Sequence, residues 1–371
     1  MKHPIIEDAD IHEVNEVLRS GNLSGFRGCP TGQDGGPRVQ SLEAAFRDYF
    51  KVKWAVSFNS ATAALHAACT ACDVEVAACT PFTFVASASC VLQAQGEVEW
   101  CDIDPDTFCM NTETRVHNSP HMYDNHNVII PVHLMGHPAE MDSIKAFANK
   151  HGMLVIEDCA QAIGAEYHGR KVGTIGDCGI FSFNQSKTVS TGEGGMLITN
   201  NDWIARVARA VRNHGEVSDP ELKIVGYNYR MTEYTASLAL SQFKRLDVMN
   251  DHRIQLTSYM SRHLDGIEGV TPPIVQTGCK AVFYTYAIKL DPDKYNKTEV
   301  LQKLKDVGVY FGPYVRPLYH LPVFGINEPI CPVAERMWEK ELIVTDIFRP
   351  PATLSDCDNW LEVMKRCLLR N

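Results

Sequence analysis

The chain has 371 residues, and at roughly 100–200 residues per domain that length predicts two units. Hydrophobic residues make up 45%, charged residues 22% and aromatic residues 9%, the composition of a chain with a packed core rather than a disordered or fibrous one. A formal net charge of −10 excludes a general nucleic-acid binder and a polybasic membrane-surface protein, both of which need a positive face.

The first residues, "MKHPIIEDADIHEV", contain no apolar signal core, and no stretch reaches the roughly 18 apolar residues of a membrane span. A cytoplasmic location is therefore expected. Thirteen cysteines are scattered and odd in number, which implies reduced thiols rather than a disulfide framework. "CTAC" (69–72) is a lone CxxC inside an alanine-rich helical stretch, without a second pair at zinc spacing, and reads as buried small side chains.

In chain order, "KWAVSF" (53–58) reads as a strand and "SATAALHAACTA" (60–71) as the helix that follows it. "NVIIPVH" (127–133) and "GMLVIED" (152–158) are further strands. "PAEMDSIKAFANKHG" (138–152), between them, is a helix closing on a Lys-His-Gly stop. Strands alternating with helices predict an α/β fold: a large domain with a mostly parallel sheet flanked by helices. Ligands bind at the carboxyl ends of such strands, which directs attention to Asn59, His133 and Asp158. His133 and His137 stand four apart in "HLMGH", but Gly136 and Pro138 predict a turn there, and no metal site is expected.

After about residue 245 the rhythm changes. "FKRLDVMNDHRIQLTSYMSRHL" predicts one long helix, "GVTPPIVQTG" a link, "AVFYTYAIKL" (281–290) an alternating strand and "KTEVLQKLKDVG" a helix. The expected division is 1–245 for a large domain with an N-terminal segment, and 246–371 for a smaller C-terminal α+β domain.

"FSFNQSKTVSTGEGGMLITN" (181–200) sets Lys187 between an apolar run and a glycine cluster. A lysine amine forms Schiff bases and moves protons when held near a carbonyl, although most lysines are solvated surface charges. Asp158, at the end of a buried strand, suits an acid set against a heterocyclic nitrogen; a helix cap or a buried ion-pair partner suits it equally. "FNSATAAL" (58–65) opens a helix with small polar residues, so its amides, with Ser60 and Thr62, suit a phosphate or simply an N-cap. "PFTFVAS" (81–87) offers an aromatic for a flat ring or for the core. Ser182 stands five residues before Lys187, and glycines 192, 194 and 195 allow a sharp return into "MLIT".

Taken together, "VIEDCAQAIGAEYHGRKVGTIGDCGIFSF", "TGEGGMLITN", "RNHG", "GYNYRMTEYTASLAL" and "PVHLMGHPAEMDSI" are similar to segments of the DegT/DnrJ/StrS-type sugar aminotransferases. These are pyridoxal phosphate enzymes of the aspartate-aminotransferase-like fold (fold type I). The resemblance runs from about residue 10 to 365. It implies that Lys187 holds the cofactor as a Schiff base, that Asp158 pairs with its ring nitrogen and that Gln161 bonds near its phenolic oxygen. Phe84 would stack on the ring, and Ser182, Thr62 and the Ala61 amide would bind phosphate. Asn228 would reach in from a neighbouring subunit, which implies a homodimer with shared active sites.

The same resemblance implies glutamate as amino donor, pyridoxamine phosphate as intermediate and a nucleotide-linked keto-deoxy sugar as acceptor. A keto-cyclitol acceptor, a sugar dehydratase and a regulatory homologue are the alternatives; the dehydratase would carry histidine in place of Lys187. Cations for a diphosphate are sought at Arg212, His214, Arg230 and Arg316, with Tyr314 and His320 in "FGPYVRPLYHLPVF" as further substrate contacts.

Overall fold

The computed structural model describes residues 6–27, 34–114, 127–216 and 222–369. Its strands are β1 (Trp54–Phe58), β2 (Val76–Cys79), β3 (Glu97–Trp100), β4 (Val128–Ile130), β5 (Leu154–Asp158), β6 (Glu166–Tyr167), β7 (Arg170–Lys171), β8 (Cys178–Ser182), β9 (Gly195–Thr199), β10 (Val270–Thr271), β11 (Cys279–Lys280), β12 (Tyr286–Leu290), β13 (Gly312–Pro313) and β14 (Leu342–Thr345). The α-helices are α1 (Asp8–Ser20), α2 (Pro37–Phe50), α3 (Ala61–Ala71), α4 (Ala86–Gln93), α5 (Met141–His151), α6 (Asp202–Arg212), α7 (Glu233–Phe243), α8 (Leu246–Leu264), α9 (Lys297–Asp306), α10 (Pro332–Arg336) and α11 (Leu354–Leu369).

Seven strands form the main sheet in the order β1-β9-β8-β5-β4-β2-β3. The pairs β8/β5, β5/β4, β4/β2 and β2/β3 are parallel, as the strand–helix alternation predicts. β9 departs from that expectation: it runs antiparallel to both β1 and β8. The reason is its connection. The glycine-containing loop after β8 turns straight back, without a crossover helix, and only an antiparallel neighbour can be reached that way.

Alternating side chains of these strands feed two cores. Val56, Phe58, Cys178, Ile180 and Leu197 join one cluster with residues of α3 to α6; Ala55, Phe181, Met196 and Ile198 join the other with residues of α2 and α7. Burial on both faces explains why the strands read as continuous apolar runs. A third core joins Leu256, Met260 and Leu264 of α8 to Tyr286, Ile288, Ile343, Leu361 and Met364, against the antiparallel sheet β10-β12-β14-β13. α8 spans two cores, because its first residue, Leu246, sits in the second cluster. β11 pairs with β6 in a separate three-stranded sheet, β11-β6-β7, so the C-terminal part is tied back to the N-terminal part by main-chain bonds.

Two predicted strands are shorter than the sequence pattern. In 127–133 the ladder stops at Ile130, before Pro131, which has no N–H to give. In 281–290 only Tyr286–Leu290 is strand, because Phe283 takes φ +47 and breaks the alternation. None of the described helices is long and apolar enough to cross a membrane. Described cysteines are free thiols; Cys69 and Cys90 approach to 3.6 Å, and burial pushes the Cys72 thiol up to about 12.

Candidate active site

β1 delivers the chain to Ser60, whose extended backbone and side chain cap α3 by accepting the Ala63 N–H at 3.1 Å. The first-turn amides of Ala61 and Thr62 have no acceptor within the helix, and with the helix dipole they make an end suited to an anion. Gly195, at the start of β9, lies against this end: a Cβ there would stand 2.5 Å from the Ala61 nitrogen. Of the three glycines, Gly192 is the one that uses a left-handed backbone, at φ +83, whereas Gly195 is required by space.

The loop carrying Lys187 is fixed on both sides. Its ends are joined by Phe183 N–H to Gly194 O and Gln185 N–H to Gly192 O, each at 2.9 Å. Ser190 exchanges two main-chain bonds of 2.8 Å with the Gln242 amide of α7. The Lys187 N–H donates to Asn184 O at 2.8 Å, and Nζ lies 4.0 Å from the centroid of the Tyr284 ring.

Asp158 ends β5 and is 3% exposed. Its Oδ2 accepts from Ser87 Oγ at 2.7 Å and its Oδ1 from the Ala160 N–H at 3.0 Å. Gln161 Oε1 accepts the Met135 N–H at 2.8 Å, while Nε2 donates to Tyr314 at 3.4 Å. Burial pushes the Tyr314 phenol well above its ordinary range, so it stays protonated. Ala61, Thr62, Phe84, Asp158, Gln161, Ser182 and Lys187 all line one cavity of about 850 Å³, with Tyr284, Tyr310, Tyr314 and Asp346 closing it from the C-terminal part. A helix end open to an anion, a hydrogen-bonded carboxylate, an exposed aromatic and a lysine amine facing one space fit a phosphorylated heterocyclic aldehyde.

Residues 4–346 match the DegT/DnrJ/EryC1/StrS aminotransferase family. The chain belongs to this family. It is therefore a pyridoxal phosphate-dependent aminotransferase, from a family that includes nucleotide-sugar aminotransferases. It is 34% identical to a GDP-perosamine synthase of Caulobacter vibrioides, over 77% of this chain and 78% of that one. It is 35% identical to a UDP-N-acetyl-3-dehydro-alpha-D-glucosamine 3-aminotransferase of Acidithiobacillus ferrooxidans, over 83% of each. Among solved structures, an aminotransferase from Psychrobacter cryohalolentis superposes with a TM-score of 0.87 at 26% identity, over 98% of both chains.

Other residues of this aminotransferase lie away from the cavity. Arg212 is the clearest correction: it is fully buried, with Nη1 on Glu43 Oε1 at 2.7 Å and on Ser57 O at 3.1 Å, so it faces the fold and not a substrate. Its apolar helix face turns it inward between α2 and β1. His320 is corrected for the same reason, both ring nitrogens being engaged, one by Glu335 and one by the Ile326 carbonyl at 3.1 Å. His133 does not reach a ligand space either; it is buried, with Nε2 3.0 Å from Glu157 Oε2 and Nδ1 accepting the Ala139 N–H at 3.0 Å. Arg316 is exposed, its guanidinium 5.4 Å from the Trp338 ring. Asn228, Arg230 and His214 form a separate patch: Arg230 Nε donates to Asn228 Oδ1 at 2.9 Å and Nη1 to Asn213 Oδ1 at 3.3 Å. That patch adjoins the α3 end, because Asn59 donates to the carbonyls of Tyr229 at 2.8 Å and Asn228 at 3.3 Å.

The sequence pattern alone assigns no role to Ser87 or Tyr284. Ser87 stood inside "PFTFVAS", one helical turn after Phe84, a spacing that puts both at the same end of α4. Tyr284 was hidden in an alternating pattern that the left-handed Phe283 interrupts.

Proposed function

We propose that this enzyme moves an amino group from glutamate to the keto group of a nucleotide-linked keto-deoxy sugar, as a homodimer with shared active sites. The observation that carries the reading is the meeting of Lys187, Asp158 and the α3 end in one cavity. The relatives' names, a GDP-perosamine synthase and a UDP-glucosamine 3-aminotransferase, support a sugar nucleotide over a free cyclitol as acceptor.

Bound pyridoxal phosphate supplies an electron sink and a carbonyl that carries nitrogen between the two substrates. The protein supplies the rest. The Ala61 and Thr62 amides, with the hydroxyls of Thr62 and Ser182, bind the phosphate. Asp158, held in place by Ser87 and the Ala160 amide, would pair with the ring nitrogen. Gln161 is held by Met135 and Tyr314 to donate near the phenolic oxygen, and Phe84 covers a ring face. Lys187 Nζ removes the donor's α-proton and later delivers a proton to the sugar carbon that receives nitrogen.

Lys187 is the cation on the described cavity wall, which otherwise carries Asp158, Glu193 and Asp346 and no arginine. A diphosphate and a glutamate carboxylate need more positive charge, and the Asn228, Arg230 and His214 patch of a second subunit would bring it.

The purified protein should show an absorbance band from bound cofactor that moves to the pyridoxamine position on adding glutamate. Lys187→Ala should fold and lose turnover; turnover retained in that variant contradicts the assignment. Mixing Lys187→Ala with Asn228→Ala chains should recover activity through hybrid dimers, and no recovery contradicts shared sites.

A further inference from the structure

We propose that Tyr284 is a positioning residue for Lys187: its ring holds the charged ε-amine at the cavity wall whenever the lysine is not covalently engaged. The inference rests on the reading of Lys187 as the reacting amine. Nζ lies 4.0 Å from the Tyr284 centroid, a distance at which an ammonium is attracted to the ring face.

The ring is itself fixed. Ser186 Oγ gives its hydrogen to Asn184 Oδ1 at 3.0 Å, so the Tyr284 hydroxyl, 2.9 Å away, donates to Ser186. Ser186 and Asn184 belong to the lysine's own loop, which ties the C-terminal tyrosine to the segment that presents Lys187.

The backbone beneath the ring is built for this approach. Phe283 takes φ +47, a conformation unfavourable for a bulky residue and one found where function requires it. Two hydrogen bonds to its neighbours hold it there. Val282 N–H donates to Gly136 O at 2.9 Å, and Arg253 Nη1 donates to Tyr284 O at 3.2 Å. Gly136 itself leaves no room for a side chain, since a Cβ would come within 2.7 Å of the Tyr284 nitrogen. Were 282–285 regular strand, Tyr284 would follow the alternation of β12 rather than enter the cavity.

A lysine that leaves the cofactor must stay close enough to move protons, and an untethered four-carbon chain would search many rotamers. The ring face supplies a single resting place, and it does so without a carboxylate that would lock the amine in a salt bridge.

The test uses cofactor-free protein. Only the neutral amine reacts with formaldehyde and cyanoborohydride, so the methylation rate of Lys187, followed by peptide mass spectrometry at fixed pH, reads how well the ammonium is held. Tyr284→Leu should raise that rate about three- to tenfold, and Tyr284→Phe should stay within about twofold of the parent. Should Tyr284→Leu fail to fold, Phe and pentafluorophenylalanine at 284 give the same comparison at constant shape, with faster labelling expected for the fluorinated ring. In the loaded enzyme, Tyr284→Leu should lower kcat with the donor KM unchanged. Equal labelling with and without the ring face, or equal rises in Tyr284→Phe and Tyr284→Leu, overturns the role of the ring. A parent protein whose cofactor band survives Lys187→Ala overturns instead the reading of Lys187 on which it rests.

Discussion

Ser87 Oγ donates to Asp158 Oδ2 at 2.7 Å, linking α4 to the end of β5 across 71 positions of sequence. Ser87→Ala leaves this nearly buried carboxylate with the Ala160 amide as its one donor among the described residues, and a lost bond to a charged group costs about 1.5–3 kcal/mol. The anion is then a weaker partner for a protonated ring nitrogen. We expect roughly tenfold weaker cofactor binding and a lower kcat, read by cofactor titration and steady-state kinetics. Unchanged values would mean that Ser87 serves only to pack α4.

Gly195 and Gly192 should respond differently to alanine. A Cβ on Gly195 meets the Ala61 nitrogen and the Ser60 carbonyl carbon, both at 2.5 Å, and these backbone atoms cannot swing aside. The α3 end must shift, so Gly195→Ala should release cofactor on dialysis. Gly192→Ala meets open space and bears only the left-handed penalty of about 1 kcal/mol, so its cofactor should stay bound. Equal retention in both variants would contradict the cradle.

Arg212→Met removes one member of the buried pair with Glu43 and strands the other. Such a change costs about 3–5 kcal/mol. The thermal midpoint should fall clearly while the acceptor KM of the folded enzyme stays the same. A raised KM with normal stability would return Arg212 to the substrate site.

Glu157 makes the fold's stability depend on acid pH. Burial raises a carboxyl, but His133 and the amides of Gly173 and Gly176 outweigh burial and hold Glu157 below its ordinary range. A lowered carboxylate contributes stability that is complete above the unfolded value, about 4.3, and is lost as pH falls through the lower folded value. Thermal midpoints of the parent should therefore drop more steeply below about pH 4 than those of Glu157→Gln, which starts lower and has no such carboxylate to protonate. Parallel curves would assign the acid sensitivity elsewhere.

By itself the sequence determined the α/β class, the strand end at Asp158, the phosphate-type opening of α3 at Ser60 and the lysine loop. Each is local: apolar periodicity, a cap and a glycine turn act within a few residues and leave their mark in the string. It did not determine that β9 runs backwards, that Arg212 and His320 turn inward, or that Ser87 meets Asp158 and Tyr284 meets Lys187. An arginine before "NHG" looks the same whether Glu43 is beside it or solvent is. Which neighbour it finds depends on how helices and strands distant in sequence pack, and only the tertiary structure decides that.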